Sequence, residues 1–143
     1  NSTLTLTGPL WVVGTVTTGN NSIVKVDVTY GTASEIMLSD GDISLSNNTD
    51  FQGSGTAGSY ILLLTTSNTA TAIDVSNNAG AVILNAQNGR INFANNSGAN
   101  QATAETIFLN NNAVVTYDSG LISTYFTSGP GGGYSIDSWQ EKE

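Results

Sequence analysis

The chain contains neither cysteine nor histidine, only two prolines, and three basic side chains, Lys25, Arg90 and Lys142. Without cysteine there is no disulfide and no thiol nucleophile. Without histidine the serine triads and the usual zinc ligand sets are missing as well. Three scattered cations cannot neutralise a phosphate backbone, so nucleic acid is not an expected partner. Charged residues make up 10% of the chain, against roughly 25% in an average soluble domain. No apolar run approaches the roughly eighteen residues of a membrane span. The longest, Tyr60 to Leu64, is strand-sized, and no span is expected within this segment. There is no signal-peptide pattern and no initiating methionine, so the chain reads as a mature or trimmed segment.

What is present is uncharged and polar. Asn, Thr, Ser and Gly fill the polar positions, and the net charge of -8 rests on eleven acidic residues. Aliphatic residues recur in alternation, which argues for an ordered β-rich chain and against disorder. An acidic, Thr/Asn-rich, cysteine-free chain fits the exported proteins of bacteria, where charge keeps the molecule soluble. The expected location is therefore extracellular or on the bacterial cell surface. At 143 residues one domain is expected, with a core large enough to need no staples.

One unit is used five times. An aliphatic residue, a spacer, a second inward-type residue and another spacer run into an asparagine pair: Val16, Thr18, Asn20 and Asn21; Ile43, Leu45, Asn47 and Asn48; Ile73, Val75, Asn77 and Asn78; Ile91, Phe93, Asn95 and Asn96; Ile107, Leu109, Asn111 and Asn112. The period of two places alternate side chains on one face of a strand. Asparagine pairs make turns and tolerate left-handed backbone. The steps between units, 27, 30, 18 and 16 residues, suit a solenoid whose coils carry loop insertions.

The expected fold is all-β: a single-stranded parallel β-helix (β-solenoid) over 1–143, with short Asn-rich corners and a C-terminal aromatic cap at 118–143. Asn77, Asn95 and Asn111 should occupy equivalent corners of neighbouring coils, with the amides stacked as a ladder. Coils of roughly 20 residues would give about seven turns. An antiparallel sandwich also alternates but has no reason to reuse one two-residue corner. Strands are expected at Ile23–Tyr30, Glu35–Leu38, Ile61–Leu64, Val82–Leu84 and Ile91–Phe93, with a corner at Gly8–Pro9, a loop at Gly53–Ser59 and a turn at Gln87–Gly89. Ala99–Glu105 has modest helix-forming character, is too short for a helix alone and reads as a loop. In the tail, Tyr125, Phe126, Tyr134 and Trp139 surround the Gly-rich stretch Ser128–Gly133 and are expected to fold over the last coil.

No residue set points to catalysis, a cofactor or a metal. Asp40, Asp42 and Asp50, near Asn47, are the one group that polysaccharide-active β-helix chemistry, often assisted by Ca²⁺, would need. Asp40-Gly41-Asp42 reads more simply as a turn opening a strand. Ser128–Gly133 lacks the Lys and the following helix of a phosphate cradle. Asn1, Asn20, Asn47 and Asn95 begin Asn-x-Ser/Thr tripeptides, which the repeat itself generates. Thr3, Thr5, Thr7, Thr15 and Thr17 could form a flat hydroxyl row for sugar or water, although threonine is also a good strand residue.

The block Thr116, Tyr117, Asp118, Ser119, Gly120 and Leu121, then Phe126, Ser128, Gly129, Pro130, Gly131 and Gly132, closing with Ile136, Ser138, Trp139 and Glu141, resembles the C-terminal extracellular region of PilX-like, type IV pilus assembly-associated bacterial surface proteins. The upstream Asn-rich repeats are similar in style. Such proteins carry an N-terminal pilin-like hydrophobic helix before a repetitive extracellular part, and residues 1–143 contain no such helix. The resemblance implies a non-enzymatic structural or adhesive role and names no catalytic residue. The expected partners are other surface or pilus proteins, or further copies of the chain. Two other functions fit the same fold: a polysaccharide-active β-helix enzyme, and a self-polymerising solenoid resembling bactofilins.

Overall fold

The computed structural model describes residues 1–116 and the pair 125–126. Strand pairings among the described residues are all parallel, which excludes the antiparallel sandwich. The one helical piece among them is a 3-10 turn, Val28–Tyr30.

The strands fall into three faces, visited in rotation. The first face holds β1 (Thr3–Leu6), β4 (Ile23–Val26), β7 (Asp50–Gln52), the starts of β10 (Gly80–Phe93) and β11 (Gly98–Leu109), and β12 (Val114–Val115). The second holds β2 (Leu10–Val12), β5 (Ala33–Ser39), β8 (Ile61–Thr65) and the middles of β10 and β11. The third holds β3 (Val16–Thr17), β6 (Ile43–Leu45), β9 (Ile73–Val75) and the ends of β10 and β11. Among the described residues this is a β-solenoid-like stack of five coils and the start of a sixth.

Equivalent positions on the first face are Thr3, Ile23, Asp50, Gly80, Gly98 and Val114, so successive coils take 20, 27, 30, 18 and 16 residues. The expected coil of roughly 20 residues is met only on average: the coils among the described residues range from 16 to 30. Coils two and three are lengthened by excursions between strands, at 27–32, 53–60 and 66–72, and each excursion consumes chain without adding a rung.

The core is the stack that the repeat forecasts. Val16, Ile43, Ile73, Ile91 and Ile107 lie in one register column, and Leu45, Val75, Phe93 and Leu109 in the next. In coils two to four these inward residues are at most 1% exposed. Like side chains stacked on like at the strand spacing leave little void, and each buried aliphatic contributes about 1.5–3 kcal/mol of transfer free energy.

Three local expectations change. The strand expected over 23–30 stops at Val26, because Asp27 caps the 3-10 turn and accepts a hydrogen bond from the Thr29 N–H at 2.9 Å. The turn at 87–89 is a register shift between Ala86 and Arg90 within β10, not a break. Ala99–Glu105 is strand, not loop: Gln101 to Ala104 pair residue by residue with Ile83 to Ala86. A ready ladder edge overrides the weak β-propensity of alanine.

Tyr125–Phe126 (β13) runs parallel to Ala33–Ser34, which places this piece of the tail beside coil two and away from coil five. The rest of the expected cap, 118–143, including Trp139, lies outside the described residues. In coil five the outer Phe108 and the inward-column residues Ile107 and Leu109 are 54%, 42% and 51% exposed.

Candidate functional site: the asparagine corner and its groove

The corner between the third and first faces is built by the asparagine pairs. The second asparagine of every pair is left-handed, with φ between 55° and 57° at Asn21, Asn48, Asn78, Asn96 and Asn112. In four corners the N–H of the residue after the pair donates to the carbonyl of the residue before it: Thr49 to Ser46, Ala79 to Ser76, Ser97 to Ala94 and Ala113 to Asn110. Positive φ at the third turn residue alone is the type II pattern, which calls for Gly or Asn there. The left-handed residue reverses the chain in minimal length and returns it to the first face in register.

The corners stack through the backbone. The N–H groups of Asn21, Asn48, Asn78 and Asn96 donate to the carbonyls of Asn47, Asn77, Asn95 and Asn111 in the next coil, at 3.0 to 3.3 Å. The expected equivalence of Asn77, Asn95 and Asn111 follows from these bonds. The amide ladder is more limited than expected. Among the described residues it has one side-chain rung, Asn48 Nδ2 to Asn21 Oδ1 at 3.0 Å, because the αL backbone already satisfies the corner. Hydroxyls add further staples, with Ser46 Oγ donating to the Thr18 carbonyl at 2.5 Å and Thr18 Oγ1 lying 2.9 Å from Thr49 Oγ1.

Beside this corner runs a groove of about 600 Å³ that crosses coils three to six. Its floor is glycine. Gly80 and Gly98 stand between Asp50 and Val114 in one outward column, so from coil three to coil six the two middle positions carry no side chain. One wall is the row Asn48, Asn78, Asn96 and Asn112; Asn100 and Thr116 stand on the other side. A Cβ at Gly80 would meet nothing within 4 Å, whereas one at Gly98 would lie 2.8 Å from the Val114 carbonyl oxygen. The sequence signal for this feature was the Asn-Asn-x-Gly spacing at 77–80 and 95–98, which reads locally as ordinary turn composition.

The three carboxylates singled out from the sequence are not brought together. Asp40 is exposed and accepts from Trp11 Nε1 at 3.1 Å. Asp42 closes the excursion after β8, its Oδ1 accepting from Ser67 Oγ at 2.5 Å and Thr69 Oγ1 at 2.8 Å. Asp50 stands on a different face and accepts from Gln52 Nε2 at 2.6 Å. Among the described residues no three His, Cys, Asp or Glu side chains gather as a metal site would need. Arg90 is committed to structure, with Nε donating to the Ala70 carbonyl at 2.8 Å and its guanidinium 6.0 Å from the centre of the Phe108 ring. Asp27 has its carboxyl held below the usual value of 3.8 by hydrogen bonds from the Thr29 side chain and backbone, with Lys25 adding to the effect. The threonine row stops at coil one, since Thr3 and Thr5 stack on Ile23 and Lys25. Asn20, Asn47 and Asn95 are exposed corner residues.

Among the described residues no helix is long and apolar enough to cross a membrane. Compared with protein-family models, with curated proteins and with solved structures, the chain matches none.

Proposed function

We propose that this chain is a non-enzymatic structural or adhesive module of a bacterial surface assembly, pilus-associated or part of a surface filament. The observation that carries the reading is the groove along the asparagine corners. Solenoids work through extended surfaces, and this one presents amides, hydroxyls and bare backbone at the strand spacing of about 4.8 Å over several coils. Amide side chains donate and accept, so they match the hydroxyl and carbonyl groups of an extended polymer laid along the coils. A net charge of -8 favours a neutral or basic surface over an acidic one. The resemblance of the tail to PilX-like proteins supports the extracellular setting.

The test fills the groove without disturbing the coil. Gly80→Gln adds a polar side chain where a Cβ has open space. The parent, coated on beads, is expected to be retained on at least one of purified type IV pili, neutral cell-wall polysaccharide and an extracellular-matrix panel, and Gly80→Gln to lose that retention at an unchanged Tm. Retention that survives the substitution would move adhesion away from the groove. Release of reducing ends or unsaturated products from acidic polysaccharides would replace this reading with the enzyme.

A further inference from the structure

The outward column of the third face runs Ser44, Asp74, Asn92 and Phe108, one side chain per coil. The first three are the polar residues expected opposite buried aliphatics on a half-covered sheet. The fourth is an aromatic ring left 54% exposed. Phe108 borders a hollow of about 260 Å³ whose polar side chains are Asp74, Arg90, Asn92 and Asn110. A single carbonyl holds two of them in place. Arg90 Nε and Asn92 Nδ2 both donate to the Ala70 carbonyl, at 2.8 and 3.0 Å, so both side chains are positioned before any ligand arrives. The terminal guanidinium N–H groups and the Asn92 side-chain oxygen have no hydrogen-bond partner among the described residues. Asp74 shares the hollow with Arg90, yet no ion pair joins the two.

We propose that this hollow is a binding site for one neutral hexopyranose ring, stacked on Phe108 and hydrogen-bonded by Asp74, Asn92, Asn110 and Arg90. A sugar ring has an apolar C–H face and a rim of hydroxyls, and the hollow offers a counterpart to each. The C–H face packs on the negative face of the aromatic ring. The Arg90 guanidinium, 6.0 Å from the ring centre, braces Phe108 from one side and leaves the rest of it to the ligand. Hydroxyls donate to the carboxylate and amide oxygens and accept from the guanidinium and amide N–H groups. The charges select against other small ligands. An anion placed here gains Arg90 but meets Asp74, a cation meets the reverse, and the net charge of -8 adds to the repulsion of anions. A neutral ring with adjacent hydroxyls satisfies both charged groups at once. The volume sets the size of the ligand: it falls below the roughly 300 Å³ at which drug-sized pockets begin, so one ring is admitted and any chain attached to it continues into solvent. The hollow shares no lining residue with the groove along the asparagine corners, and the inference does not draw on it.

The isotope-labelled full chain, titrated with the methyl glycosides of glucose, galactose and mannose and followed by NMR, provides the test. At least one glycoside is expected to bind saturably with a Kd of about 1 mM, as suits a single ring, and to shift the signals of Asp74, Asn92 and Phe108. Phe108→Ala, at an exposed position, should weaken binding on the order of tenfold, and Phe108→Tyr should keep it. Trp11→Ala removes an exposed aromatic from the second face and should leave binding unchanged. Glucuronic acid should bind the parent several-fold more weakly than methyl glucoside, and Asp74→Asn, which keeps the shape and removes the charge, should narrow that gap. Gly80→Gln, in the groove, should bind as the parent does, so that failure of this site and failure of the groove are read separately. No saturable shift at Asp74, Asn92 and Phe108 with any of these glycosides overturns the proposal. So does Phe108→Ala binding as the parent does, or glucuronic acid binding the parent as well as the neutral glycosides. Shifts confined to Asn96, Gly98 and Asn100 would put the sugar in the groove and would also overturn it.

Discussion

The left-handed asparagine is the residue on which each coil turns. At φ near 55° an L-residue with a Cβ crowds its own carbonyl by about 1–2 kcal/mol, and asparagine and glycine suffer least. Asn78→Gly is therefore expected to stay within about 0.5 kcal/mol of the parent, and Asn78→Val to lose about 1–2 kcal/mol, read by chemical denaturation. Equal losses in both variants would mean that the amide, and not the backbone, holds the corner. Asp27 offers a second residue-scale test. Its folded-state value is depressed by Thr29, so its contribution to stability is complete above pH 3.8 and disappears as the pH falls through the lowered value. Thr29→Val removes the side-chain donor and keeps the backbone one. The carboxyl midpoint followed by NMR should rise towards the ordinary value; an unmoved midpoint would assign the shift to the Thr29 N–H and Lys25.

At the scale of the element, one column is sampled at two depths. Ile73 is fully buried and Ile107 is 42% exposed, although both sit in the same register stack on the third face. Ile73→Ala should cost about 2–5 kcal/mol through lost transfer energy and a residual cavity, and Ile107→Ala less than about 1 kcal/mol, since the exposed site can relax. Comparable losses would show that coil five is as tightly enclosed as coil three. The contrast between faces has the same origin. The third face alternates inward aliphatics with Ser44, Asp74 and Asn92, as a half-covered sheet does, whereas β5 and β8 on the second face do not.

For the whole molecule, each coil touches only its neighbours, so stability is close to a sum of coil and interface contributions. Coils three and four have full neighbours on both sides, and the third-face inward residues of coil five, Ile107 and Leu109, remain partly exposed. Amide exchange should be slowest at Ile73, Leu84 and Ile91 and faster by on the order of tenfold or more at Ile107 and Leu109, with opening confined to the end of the stack. Uniform protection across all coils would indicate one cooperative unit. The same additivity explains how coils of 30 and 16 residues coexist: an excursion that leaves the ladder and rejoins in register does not disturb its neighbours.

The asparagine corner, the inward columns on the third face and the solenoid-like class were legible in the sequence because each is set by local chemistry. Left-handed backbone selects asparagine, and a period of two selects a face. The register that stacks Ile43, Ile73 and Ile91 followed from the spacing to the corner, whatever the length of the excursions. Tertiary structure alone decided where partners lie across coils. It made Ala99–Glu105 a strand because β10 offered an edge, separated Asp40 and Asp42 from Asp50, turned Gly80 and Gly98 into the floor of a groove, and set Tyr125–Phe126 beside coil two. These outcomes depend on which segment supplies a hydrogen-bonding edge or an open face to a distant stretch of chain, and no local pattern encodes that supply.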